Sequence, residues 1–285
     1  MGMKVNVVGI PTNMGALFSG TELCPMALRE AGLTGKLAEE AEVTDCGDIT
    51  IPNFLPRHTT PPVRHYPGPR LVWEELTRTK LFEVNEFSLI LGGDCSIIVG
   101  TATNLTEKFG IDVHVIVIDA HVDDVAPLPE QCVGAAAMGL WFLTNPNIFW
   151  SKQLSANHFT VIGCQSGYTQ TAIDSIPLQL LREFGIHAVV QRVLEKCGKD
   201  TKILLHLDVD VMNEKNMPAA YSPSKEGLTN QECSMLLKEL LKDQRVVGLE
   251  VTEFSGIKDD KGIEAKKLVD FIVNILATKR ELPVG

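Results

Sequence analysis

Short runs of β-branched and large apolar residues recur along the chain, at Val5–Gly9, Ser88–Leu91, Val113–Ile118, Phe159–Ile162, Ile203–Leu207 and Val246–Val251. Helix-like stretches separate most of them, and this alternation predicts a parallel sheet. Runs such as Val115-Ile116-Val117-Ile118 are apolar on both strand faces, so helices must cover both sides. The expected fold is therefore α/β, a three-layer α/β/α arrangement around a mostly parallel central sheet. No polar or low-complexity linker divides the 285 residues, which predicts one domain over 1–285. Between Ile51 and Arg70 the chain is rich in Pro and His without periodicity and reads as a surface loop or flap.

Ligands of such sheets bind beyond the carboxyl ends of the strands. Two acidic patterns fall there, Asp119-Ala-His121-Val-Asp123 and Asp208-Val-Asp210. In extended backbone alternate side chains share a face, which would aim Asp119, His121 and Asp123 together, and likewise Asp208 and Asp210. An Asp at a strand end also commonly caps a turn or helix, and for Asp208 and Asp210 alone that reading carries equal weight. Four carboxylates converging with an imidazole would repel one another and lose hydration unless cations sat among them, and two divalent ions would balance four charges. The pattern thus predicts a binuclear metal site. Oxygen-rich ligation with one nitrogen suits manganese or magnesium better than zinc, so two Mn²⁺ ions are expected. Gly92-Gly93-Asp94-Cys95-Ser96 and Glu253 also follow predicted strands.

The net charge of −10 argues against a nucleic-acid surface and favours cationic substrates. No apolar stretch is long enough to span a bilayer, and the first residues lack the pattern of a secretory signal, so no membrane partner and a cytoplasmic location are expected. The seven cysteines are odd in number and scattered, without a C-x-x-C pair, and read as reduced thiols. Gly9, Gly15 and Gly20 do not fit a dinucleotide fingerprint.

In order along the chain, Gly92–Ser96, Asp119–Asp123 and His206–Asp210 resemble the GGDHS, DAHxD and SxDxD signatures of the arginase family. Gly20–Leu33, Asp45-Cys-Gly-Asp48 and Gly248-Leu-Glu-Val-Thr-Glu253 are similar to further family segments, so the resemblance covers essentially the full length. It implies a pair of manganese ions that activate water for attack on a guanidinium carbon, with expulsion of an amine and release of urea. On that pattern Asp119, His121, Asp123, Asp208 and Asp210 are metal ligands, and Glu253 grips the guanidinium. A carboxylate at Glu253 can make two parallel charge-assisted hydrogen bonds to such a cation, and Asp123 can accept a proton as the tetrahedral intermediate forms. The resemblance also implies self-association into a homo-oligomer.

Three departures from the family pattern bear on function. Cys95 stands where the family has a His ligand; it is either a thiolate metal ligand or a buried small hydrophobe beside a one-metal site. The residues with which family arginases hold the amino and carboxylate groups of free arginine, and the His that shuttles protons, have no match. Val125, Cys132, Met138 and Ser166 fall at or near those places. The segment from Val211 to Gly227 is also shorter than its family counterpart. An unpaired carboxylate in a pocket costs several kcal/mol, so free arginine should bind poorly. The leading expectation is an arginine side chain within a peptide, converted to ornithine. A small guanidino compound (hydroxyarginine, agmatine, guanidinobutyrate or free arginine) and a metal-binding pseudoenzyme are the alternatives. His206, two positions before Asp208, reads either as a donor supporting the site or as a satisfied core histidine.

Overall fold

The computed structural model describes residues 3–52, 55, 57–165 and 172–280. Among the described residues eight strands form one sheet, β1 (Lys4–Gly9), β2 (Glu42–Asp48), β3 (Phe87–Leu91), β4 (Val113–Ile118), β5 (Phe159–Ile162), β6 (Asp174–Ile176), β7 (Lys202–Asp208) and β8 (Val246–Thr252). Their spatial order is β2-β1-β3-β8-β7-β4-β5-β6, and every pairing is parallel. The late strands β7 and β8 fill the space between β3 and β4, so segments far apart in sequence become neighbours at the centre of the sheet.

Side chains alternate between two apolar layers. Val5, Val7, Leu89, Leu91, Ile116, Ile118, Leu205 and Leu207 enter one layer, which is closed by α1 (Cys24–Glu30), α2 (Leu33–Ala38), α6 (Leu178–Phe184), α7 (Ile186–Glu195), α8 (Asn230–Leu241) and α9 (Ile263–Arg280). Val8, Ile90, Val113, Val115, Val117 and Leu204 enter the other, beneath α3 (Gly68–Arg78), α4 (Ile98–Phe109) and α5 (Gly139–Thr144). Two-sided burial is what the continuous apolar runs require, since a parallel strand in mid-sheet has no solvated face. In the second layer Trp73 packs against Phe142 and Trp150 at ring-centroid distances of 5.3 and 5.7 Å. The sharpest helix start is that of α8, where Thr229 and Glu232 form a capping box.

The two edge strands were not expected from the pattern. β2 carries mostly exposed polar residues and β6 has only three, so neither shows the apolar run that marks a central strand. The Ile51–Arg70 loop is also shorter than expected, because α3 begins at Gly68 with Pro69 in its first turn, a position where the missing proline N–H costs nothing. Described residues of the loop reach neighbouring loops. Val63 bridges Val133, and Arg57 donates to Asn13 Oδ1 at 2.6 Å. Among the described residues no helix is long and apolar enough to cross a membrane.

Candidate metal centre

Four adjacent central strands, β3, β8, β7 and β4, deliver the acidic residues to one place at their carboxyl ends. Cys95 opens a 3₁₀ turn after β3, Glu253 follows β8, Asp208 ends β7 with Asp210 in the next turn, and Asp119 follows β4. The β3 exit depends on glycine. A Cβ at Gly93 would lie 1.9 Å from the Thr12 carbonyl oxygen, so the backbone can pass there only without a side chain. Asp94 then accepts backbone N–H bonds from Gly15 and Ser96, fixing the turn that presents Cys95.

Asp119, His121 and Asp123 do not share a strand face as expected. β4 ends at Ile118, before the pattern begins, and Asp123 has φ of 52°, in the left-handed region. A loop that doubles back brings these groups toward the centre, not strand alternation. Glu253 has φ of 63° as well. Left-handed backbone costs a side-chain-bearing residue on the order of 1–2 kcal/mol, and such strain concentrates at functional sites.

Two overlapping ligand groups emerge around Asp119. Oxygens of Asp119 and Asp210 and a nitrogen of His121 lie within 4.8 Å of one another, and the same limit holds for Cys95, Asp119 and His206. A third group joins Cys95, Asp208 and Glu253. The His121 imidazole approaches Asp210 at 3.2 Å and Asp119 at 3.6 Å, and its side chain is half exposed, whereas the carboxylates are buried. The open side of the centre is therefore at His121. Asp123 belongs to none of these groups, although the charge of Asp119 acts on it.

The capping role weighed for the Asp pair is present alongside the clustering. Asp208 Oδ1 accepts from the Asp210 N–H at 2.7 Å, and Asp119 Oδ1 accepts from the His121 N–H at 2.7 Å. These bonds fix one oxygen of each carboxylate and leave the other for a different partner. Asp119 Oδ2 and Asp210 Oδ1 are buried and have no hydrogen-bond partner among the described residues. Buried carboxylate oxygens without donors are costly, and a dication is the partner that suits oxygens held this close together. The donor set fits the metal pair expected from the sequence.

The electrostatics agree. Burial, followed by the charges of neighbouring acids, raises Asp123, Asp208 and Glu253 well above the ordinary carboxylate range and raises Asp210 too. Hydrogen bonds to Asp119 and Asp210 lift His121 to about 11. Both shifts report the same field, one that holds protons where cations could bind. Burial, then Asp208 and Glu253, also pushes the Cys95 thiol up. Its Sγ–H donates to Asp208 Oδ2 at 2.7 Å, so Cys95 touches the cluster and is not a hydrophobe set apart from it.

Glu253 is nearly buried, and its Oε1 accepts from the Cys95 N–H at 2.8 Å. Its backbone is clamped as well, the N–H donating to the Gly93 carbonyl and the C=O accepting from Tyr221. Of the positions expected near the substrate, Val125 and Cys132 are partly buried, and Met138, whose thioether has no proton to relay, is fully buried in the apolar layer. Ser166 lies outside the described residues. The shortened segment after Asp210 folds back on itself, with Leu228 N–H donating to Val211 O and Glu214 N–H to Ser224 O, each at 2.7 Å.

A parallel α/β sheet with an acidic cluster suited to two dications at its central strand ends defines a metallohydrolase-like architecture. Comparison with known proteins makes the assignment specific. The Arginase family profile matches residues 3–277, and the chain belongs to that family. It is an arginase-family hydrolase. A curated arginase of Coccidioides posadasii is 29% identical over 92% of this chain and 89% of its own length. The solved arginase of Entamoeba histolytica in complex with L-ornithine superposes with a TM-score of 0.85 at 19% identity, covering 99% of this chain and 100% of that one. The proclavaminate amidino hydrolase of Streptomyces clavuligerus superposes with a TM-score of 0.76 at 23% identity, covering 98% and 92%.

Proposed function

We propose that this chain hydrolyses a guanidino group with release of urea, using two manganese ions held by Asp119, His121, Asp123, Asp208, Asp210 and Cys95. The observation that carries the reading is the placement of Glu253, whose buried carboxylate is held by the Cys95 amide and converges with Cys95 and Asp208. A cationic, planar guanidinium matches such a carboxylate through charge-assisted hydrogen bonds, and fixing its plane directs its carbon toward the acidic centre. When bound, a metal pair lowers the pKa of water so that a strong nucleophile exists at neutral pH. Asp123 accepts the proton released as water adds and returns it to the departing amine. Burial of Asp208 and Asp210 excludes bulk water from all but the His121 side.

The substrate we favour is an arginine side chain within a peptide. Val125 and Cys132 offer little to a free amino-acid head, and the 211–228 segment, which packs against Glu253 through Tyr221, is shorter than the family pattern. Leu17 and Phe18 are exposed next to this region, with the Phe18 N–H bonded to the Tyr221 hydroxyl at 2.6 Å. An apolar rim of this kind suits flanking peptide residues.

A small guanidino acid is the second reading, and one observation favours it. Arg57 and Arg64 reach the loops at Asn13 and Leu17, and neither forms an ion pair among the described residues, so either could meet a substrate carboxylate. Turnover of a panel comprising an arginine-containing peptide, free arginine, hydroxyarginine, agmatine and guanidinobutyrate separates the readings when organic products are followed by mass. We expect the peptide to exceed free arginine by at least roughly tenfold in kcat/KM, the loss of one paired carboxylate being worth more than about 1.4 kcal/mol. Equal or better turnover of free arginine rejects the peptide assignment. No turnover of any member by metal-loaded protein points to a binding protein that has lost catalysis. Self-association, implied by the family resemblance, and cytoplasmic residence, expected from the sequence pattern, accompany this proposal.

A further inference from the structure

His206 occupies the centre of the sheet with almost no solvent exposure, on the strand face shared by Leu204 and Asp208. Its register partner on β8 is Glu250, also buried, and Glu250 Oε1 lies 2.5 Å from His206 Nδ1. With Nδ1 held against Glu250, Nε2 is the ring nitrogen left to face away from that carboxylate. Nε2 lies 3.4 Å from the Thr252 hydroxyl, and the same hydroxyl is 3.1 Å from Cys95 Sγ. His206 thus looks into the space where Cys95 and Asp119 converge, all three presenting ligand atoms within 4.8 Å of one another. Asp119, which contributes to this group, also carries a buried oxygen, Oδ2, without a hydrogen-bond partner among the described residues.

We infer that His206 Nε2 is a ligand of the metal on the Cys95 side of the centre, oriented by Glu250 through Nδ1. The carboxylate–imidazole–metal arrangement is a recurrent way of fixing tautomer and direction in metal-binding histidines. The chemistry of the position calls for it. Cys95 offers a soft thiolate among hard carboxylates, and a thiolate adds negative charge to an already anionic cluster. A neutral imidazole supplies a strong donor without adding charge. In the SxDxD signature His206 stands where the family pattern has Ser, while Cys95 stands where it has His. The two departures together keep a His and a small polar side chain on this side of the cluster but exchange their strands. A buried His–Glu pair serving packing alone would not require Nε2 to face the thiol and Asp119.

The inference rests on the metal-pair reading of the centre, so its test separates the two. Protein labelled with ¹⁵N-histidine and loaded with Mn²⁺ is examined by electron spin echo modulation, which counts coupled imidazole nitrogens, and its metal content is measured in the same samples. Two nitrogens are expected in the native chain, one from His121 and one from His206. His121→Asn should retain one coupled nitrogen, and His206→Ser should retain only the other and weaken Mn²⁺ binding at one position by roughly 10- to 100-fold. Glu250→Gln should weaken the same binding step, and the exchange Cys95→His with His206→Ser should restore it. Loss of all nitrogen coupling in His121→Asn, with two Mn²⁺ still bound, overturns the assignment of His206 and leaves the metal-pair reading intact. Failure of the native chain to bind Mn²⁺ overturns both.

Discussion

Replacing Glu253 with Gln is expected to lower kcat/KM for the productive guanidine by roughly a thousandfold, about 4 kcal/mol, while leaving the bound metal unchanged. The carboxylate and the amide have the same shape, and the Cys95 N–H can still donate to the remaining oxygen, so the positioning of the β8 exit should survive. What disappears is the negative charge facing the substrate cation and one of the two acceptors that would define its plane. Because the interaction orients the reacting carbon as well as binding it, both kcat and KM should move. Steady-state kinetics with metal analysis of the same preparation checks this. If a metal is lost with the activity, Glu253 is a ligand and not the guanidinium clamp, a possibility its closeness to Cys95 and Asp208 makes worth measuring.

The second large effect is on stability. Exhaustive chelation should lower the thermal unfolding midpoint by about 10 °C, because a metal present at a thousand times its dissociation constant stabilises the folded chain by about 4 kcal/mol, and each kcal/mol moves a chain of this size by roughly 2–4 °C. The gap should also depend on pH. In the metal-free protein Asp123, Asp208, Asp210 and Glu253 have raised pKa values, chiefly through burial. Groups whose folded pKa lies above the unfolded one support the fold below the unfolded pKa, and that support fades as pH rises through the folded values. The metal-free chain should thus weaken from pH 5 toward pH 8, whereas the loaded chain, its carboxylates balanced by cations, should not. Scanning calorimetry with and without chelator at several pH values reads both effects. A gap that is constant or narrows with rising pH would remove the carboxylates from the metal site.

Much of this architecture is written in local pattern. The apolar runs at Val113–Ile118 and Phe159–Ile162 coincide with the observed strands because central parallel strands must be apolar on both faces. Edge strands escape that requirement, which is why Glu42–Asp48, with its polar alternation, and the three-residue Asp174–Ile176 left no comparable trace. For the centre, residue types were legible but geometry was not. The Asp119–Asp123 pattern converges through a loop with a left-handed Asp123, a conformation that spacing alone does not reveal. His206 shows the limit most clearly. Its place two residues before Asp208 put it on the right face, but its orientation depends on Glu250 across the β7–β8 register, and pairing between strands formed some forty residues apart is a property of topology, not of local sequence.

On the proposed reading, the buried acids that follow β4 and end β7 coexist because two dications sit among them. Crystals of protein stripped by chelation and reloaded with Mn²⁺, measured at the manganese absorption edge, address it directly. Two anomalous peaks are predicted, one between Asp119, His121 and Asp210 and one beside Cys95, Asp119 and His206. A fully reloaded crystal with no anomalous density at these side chains would rule out a metal pair at this centre.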